Sequence, residues 1–112
     1  ALYQQAIDAY LTGIRLDEGR NQIAFGFHMP LAAAYVSSGK LLEGIATYQQ
    51  AIILQDTSGF QPWQIYAQIG NLYVQLGDNA QARASYEQAL SAAPEADKPQ
   101  IQAWIDQLSQ LQ

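Results

Sequence analysis

The 112-residue chain has no cysteine, which excludes a disulfide framework, a thiolate nucleophile and a cysteine-bound metal. His28 is the only histidine, so no second histidine shares a metal with it, and the carboxylates are scattered. His28 is read as a structural or groove-facing residue. Charge is sparse at 13% of residues, with ten acidic and five basic side chains and a net charge of −5. Nucleic acids and anionic membranes need clustered Lys and Arg, so neither is an expected partner. The acidic excess is read as serving solubility. Asp17 and Glu18, between Arg15 and Arg20, read as a solvated turn with local pairs of little energetic weight. No apolar run approaches the length of a bilayer span, so this segment is not expected to insert directly into a membrane. There is no Gly-rich phosphate or dinucleotide loop. Ser37, Ser38, Ser58, Ser85, Ser91 and Ser109 have neither a Gly-rich elbow nor triad partners. The expectation is therefore a non-enzymatic chain without a cofactor. The compartment stays open. A start at Ala1 without Met reads as a processed or partial chain, so an upstream signal or anchor stays open too.

What is present is 49% hydrophobic residues, enough for a folded domain. Much of the polar remainder is Gln, a neutral helix former. The chain also repeats itself. Tyr35, Gly39, Tyr48 and Ala51 stand 38 residues before Tyr73, Gly77, Tyr86 and Ala89. A third, partial copy opens the chain, where "ALYQQAI" matches "ASYEQAL" and Tyr3 and Ala6 take the places of Tyr86 and Ala89.

The spacing has a packing logic. Tyr66, Ile69, Gly70 and Tyr73 follow the i, i+3, i+4, i+7 rule and share one helix face; Ala82, Tyr86 and Ala89 share a face on the next helix. Small residues such as Gly70 and Ala82 permit close approach, and aromatics fill the space beside them. The turn "LGDN" ends one helix near Gly77, Asp78 caps the next with Gln81 as its capping-box partner, and Pro94 stops it.

These residues resemble the tetratricopeptide repeat, a pair of antiparallel helices in a unit of about 34 residues. With Trp63 as the first position, Tyr66, Ile69, Gly70, Tyr73, Ala82, Tyr86, Ala89 and Pro94 fill the eight signature sites. The copy from Phe25 departs from the pattern. His28 stands at its fourth site, Ala32 at its eighth, Gly44 at its twentieth, and Asp56 replaces the terminal proline. The resemblance implies one all-α domain over residues 1–112, a right-handed αα-solenoid of about six helices. Its parts are a partial repeat (1–20), two complete repeats (25–58 and 63–96) and a C-terminal capping helix (98–112).

The expected helices run Leu2–Leu16, Gln22–Ser38, Leu41–Leu54, Gln61–Leu76, Asn79–Ala92 and from near Pro99 onward. The loop "DTSGFQPW" is four residues too long for the unit, and Phe60 and Trp63 there are expected to staple helix ends. The junction after the partial copy is eleven residues too long. The helix from Gln22 is therefore expected to start early, enclosing Pro30 and kinking at residues 26 to 30. Phe27, Leu31 and Tyr35 are expected in the core, and Ile101, Trp104, Ile105 and Leu108 on the inner face of the last helix.

The resemblance implies a module that binds a peptide or a partner helix in a concave groove lined by the first helix of each repeat. Carried over position by position, the lining is Gln64, Ala67, Asn71, Val74 and Gln75 in the second complete repeat. In the first it is Gly26, Met29, Ala33, Val36 and Ser37, and on the cap helix Gln102, Asp106 and Ser109. Asn71 matches an asparagine that many peptide-binding repeats use to hold a ligand backbone. Ala67 and Met29 stand where chaperone-binding members carry carboxylate-clamping lysines, so that subclass is not expected. Phe25, Met29, Ala33 and Val36 form a second apolar stripe, either covered by the overlong N-terminal region or exposed to a partner. The alternative to an adaptor, scaffold or assembly factor is a structural or self-associating solenoid segment of a longer protein.

Overall fold

The computed structural model describes residues 7–8 and 26–110. Among these the regular structure is all helical: α1 (His28–Ser37), α2 (Leu41–Ile53), α3 (Pro62–Gln75), α4 (Asn79–Ala92) and α5 (Lys98–Gln110). Ile7 and Asp8 are helical as well. The five helices among the described residues correct the expected count of about six. The helix expected over Leu2–Leu16 otherwise lies outside the described residues. The chain divides into two compact units, Ala1–Gly59 and Phe60–Gln112.

In the first unit α1 and α2 pack as a hairpin. The turn between them is a Schellman motif: the Lys40 N–H donates to the Tyr35 carbonyl at 2.8 Å and the Gly39 N–H to the Val36 carbonyl at 3.0 Å. Gly39 sits at φ +84°, a left-handed conformation that glycine adopts without strain. Leu31, Ala32, Ala34, Ile45, Tyr48 and Ala51 are buried. Ile7 and Leu31 join Ala34 in one cluster, with Tyr35 packed against it. A Cβ on Gly44 would lie 2.7 Å from the Val36 side chain, so glycine is what lets α1 and α2 meet there.

The second unit repeats the plan and adds a helix. Asp78 N–H donates to the Tyr73 carbonyl at 2.9 Å and Gly77 N–H to the Val74 carbonyl at 3.0 Å, the same motif 38 residues on. Asp78 caps α4 by accepting the Gln81 N–H at 3.2 Å. Pro62 opens α3, where its fixed φ and missing N–H suit the first turn. Ala67, Ala82, Tyr86, Ala89, Ala93, Ile101, Ile105 and Leu108 form the core, with Trp63, Tyr66, Tyr73, Val74 and Trp104 packed against it. A Cβ on Gly70 would lie 2.6 Å from the Tyr86 ring, so the aromatic occupies the space the glycine leaves.

Three local expectations are corrected. α1 begins at His28, since Gly26 lies at φ +97° and Phe27 is the N-cap; residues 22–25 lie outside the described residues. Pro30 is thus in the first turn, where its missing N–H has no intrahelical acceptor to lose, and the kink has no cause. Phe27 is 42% and Phe60 52% exposed, so neither is a core or staple residue, whereas Trp63 does pack on its core. Trp104 is half-buried rather than buried beside Ile101, Ile105 and Leu108.

Candidate interaction face

The residues expected to line a groove fall differently in the two units. In the second unit Gln64, Asn71 and Gln75 are exposed on α3, Val74 is half-buried, and Ala67 is 6% exposed within the core. Gln64 and Asn71 are both held. The backbone N–H of Gln61 donates to Gln64 Oε1 at 2.9 Å, so Gln64 closes the first turn of its own helix. The Tyr86 hydroxyl donates to Asn71 Oδ1, reaching across from α4. Burial pushes the Tyr86 hydroxyl pKa up from its ordinary value, and the same holds for Tyr48. No residue of α3 is charged. On α5, Gln102 and Asp106 are exposed and paired, with Gln102 Nε2 donating to Asp106 Oδ1 at 3.0 Å. Ser109 Oγ donates to the Ile105 carbonyl at 3.4 Å.

In the first unit Phe25 lies outside the described residues. Met29 is half-buried, Ala33 and Ser37 are exposed, and Val36 turns toward Gly44 in the α1–α2 contact. Gly26 is occupied by a polar cluster that sequence reasoning missed. Asp56 is 2% exposed, and its two carboxylate oxygens each accept the Gly26 N–H at 2.8 Å. Asp56 Oδ2 also accepts the His28 N–H at 3.4 Å and bonds His28 Nδ1. His28 is itself 2% exposed. The carboxylate thus caps α1 from a distant loop, replacing the side-chain cap that Phe27 lacks. Burial alone would raise the Asp56 pKa. The hydrogen bonds from the His28 side chain and from the Gly26 and His28 backbone, with the His28 charge, outweigh it and hold the carboxyl below its ordinary value.

The cap explains a conformational oddity. α2 ends in a third Schellman turn, with the Asp56 N–H on the Ala51 carbonyl at 2.9 Å and the Gln55 N–H on the Ile52 carbonyl at 3.2 Å. Gln55 takes the left-handed position at φ +57°, where the other two turns have glycine. That conformation is what aims Asp56 back at α1.

An Asp–His pair of this kind orients imidazoles in hydrolases, where the far ring nitrogen serves a nucleophile. Here both side chains are buried and the carboxylate is engaged by backbone N–H groups, which suits a structural cap. Among the described residues no group of three or more His, Cys, Asp or Glu side chains is placed to hold a metal ion. Among them, too, no helix is long and apolar enough to cross a membrane.

Comparison with known proteins adds one match. Residues 64–95 match the family model described as Tetratricopeptide repeat. No curated protein matches the chain. The matched stretch spans α3, the Gly77 turn and α4, whose contacts are those the repeat signature requires. On that match the chain belongs to the tetratricopeptide repeat family, with residues 64–95 as its repeat.

Proposed function

We propose that the chain is a non-enzymatic protein-interaction module, an adaptor, scaffold or assembly factor, that receives a segment of a partner protein. The observation that carries this reading is α3. Its inner face is committed to the core, and its outer face presents amides with no charge. In the proposed arrangement, residues 25–58 and 63–96 act as two repeats of a right-handed solenoid and α5 as its cap. Met29, Ala33, Val36, Gln64, Asn71, Val74 and Gln75 line the concave side above the small Ala67, with Gln102 and Asp106 on the cap helix and Phe25 at the entrance. The partner is a protein or peptide, not a nucleic acid. To test this, a photo-crosslinking residue is placed at Gln75 and, separately, at Glu87 on the exposed side of α4. One partner captured at Gln75 and absent at Glu87 supports the reading. Equal capture at both places the contact elsewhere.

A specific observation favours the second reading, self-association. Leu42 is 64%, Ile53 71% and Leu54 52% exposed on and beside α2. Contiguous exposed apolar side chains mark contact surfaces. Light scattering over a concentration series decides it: a mass that doubles and reverts in Ile53→Glu supports self-association, and a constant monomer mass removes it.

A further inference from the structure

We propose that the outer face of α3 is a strip of hydrogen-bond donors that selects an extended polypeptide segment by its free main-chain carbonyls, an inference that rests on the groove assignment above. Gln64, Gln68, Asn71 and Gln75 follow one another at i, i+4, i+7 and i+11, and all four are exposed. A solvated primary amide offers both an oxygen and an NH2 group, so it accepts or donates with equal ease. Two of these four have lost that freedom. Gln64 Oε1 is taken by the Gln61 N–H at 2.9 Å, and Asn71 Oδ1 by the Tyr86 hydroxyl. What remains for a partner at both positions is the NH2 group.

The arrangement is fixed from behind. Tyr86 is 4% exposed and packed in the core, and its raised pKa keeps the phenol protonated and donating at neutral pH. The Gln61 donor is a backbone N–H and has no alternative role. Neither amide is turned around without breaking a bond inside the protein.

Donors alone require acceptors. A partner helix is a poor source, because its carbonyls already accept within the helix except in the last turn. A carboxylate would meet no Lys or Arg on α3. An extended main chain has free carbonyls at regular spacing. Gln64 and Asn71 are seven residues apart, about 10.5 Å along the axis at 1.5 Å per residue. A polyproline II segment brings equivalent carbonyls round every three residues, about 9.3 Å at 3.1 Å per residue. Side-chain reach spans the difference of about 1 Å.

The test uses the intact chain labelled with nitrogen-15 and two uncharged probes. One is N-acetylated, C-amidated dodecaproline, which carries carbonyls and no backbone N–H. The other is a stapled Ala/Gln helix of the same length. Dodecaproline is expected to shift the side-chain NH2 signals of Gln64 and Asn71, and the helix is not. Asn71→Asp keeps an oxygen for Tyr86, and Gln64→Glu keeps one for the Gln61 N–H. Each replaces the outward donor with an acceptor and is expected to weaken dodecaproline binding by about tenfold. Tyr86→Phe, which frees the Asn71 amide to turn, is expected to weaken it less. Binding of dodecaproline by both acidic variants as by the parent overturns the inference. So does a helix that shifts the α3 signals equally, which leaves the groove itself standing. Shifts confined to signals outside α3 remove both the strip and the groove assignment. No response at millimolar probe overturns the strip alone.

Discussion

Asp56 shows how much one buried side chain settles. Its carboxylate receives the Gly26 N–H, the His28 N–H and the His28 ring, and so determines where α1 starts. Asp56→Ala leaves those donors without their acceptor and is expected to cost about 2–4 kcal/mol of stability. Hydrogen exchange at residues 26–31 should rise with it, and unchanged protection there would show the cap to be dispensable. The pH dependence follows from the direction of the shift. The folded chain binds this proton less readily than the unfolded chain, so the contribution is full above the ordinary carboxyl value of 3.8. It fades as pH falls below that value and is gone once the folded-state pKa is passed. Urea midpoints measured from pH 6 downward, within the range about 6 to 3, should fall less steeply in Asp56→Asn than in the parent. His28 and Asp56 are both departures from the repeat pattern, and the sequence shows them only as two defects. That they meet depends on a left-handed Gln55 and on a contact 28 residues apart, and neither leaves a local signal.

At the scale of the helix, most boundaries were legible. α4 runs Asn79–Ala92 as expected, α2 and α3 differ from expectation by one residue at an end, and α5 starts one residue before Pro99. The reason is local punctuation: Gly39, Gly77, Asp78 and Pro62 act through their own backbone. The start of α1 was not legible because its cap comes from another element. The pairing of Asn71 with Tyr86 was equally hidden, since each had a sufficient role alone, one as a groove residue and the other as a core aromatic. Close approach at the α3–α4 contact gives a sharp prediction. Gly70→Ala places a methyl 2.6 Å from a buried ring and is expected to destabilise by about 1–3 kcal/mol, read from the denaturation midpoint. An unchanged or raised midpoint would mean the ring has room to move. The cap helix gives a second. Trp104 lies with its ring centroid 5.7 Å from that of Tyr86 and is half-buried. Trp104→Ala should cost about 2 kcal/mol, below the 3–5 kcal/mol of a fully buried aromatic. No loss at all would leave the ring available to a partner.

For the whole molecule, the repeat at residues 64–95 and the all-helical content of the described residues were readable from spacing alone. The partner was not, because the signature residues are spent on packing and the outer residues are free to vary. Charge is the whole-molecule property that bears most directly on function. A net charge of −5 with an uncharged α3 means that a partner seated on α3 forms few ion pairs, whereas one seated on the acidic remainder forms many. The most direct measurement is therefore the dissociation constant of the partner captured at Gln75, taken at about 50 and 500 mM salt for the parent and for Asn71→Asp. The account predicts less than about a threefold change with salt and about a tenfold loss in the variant. Binding that salt abolishes, and that Asn71→Asp leaves intact, would contradict it.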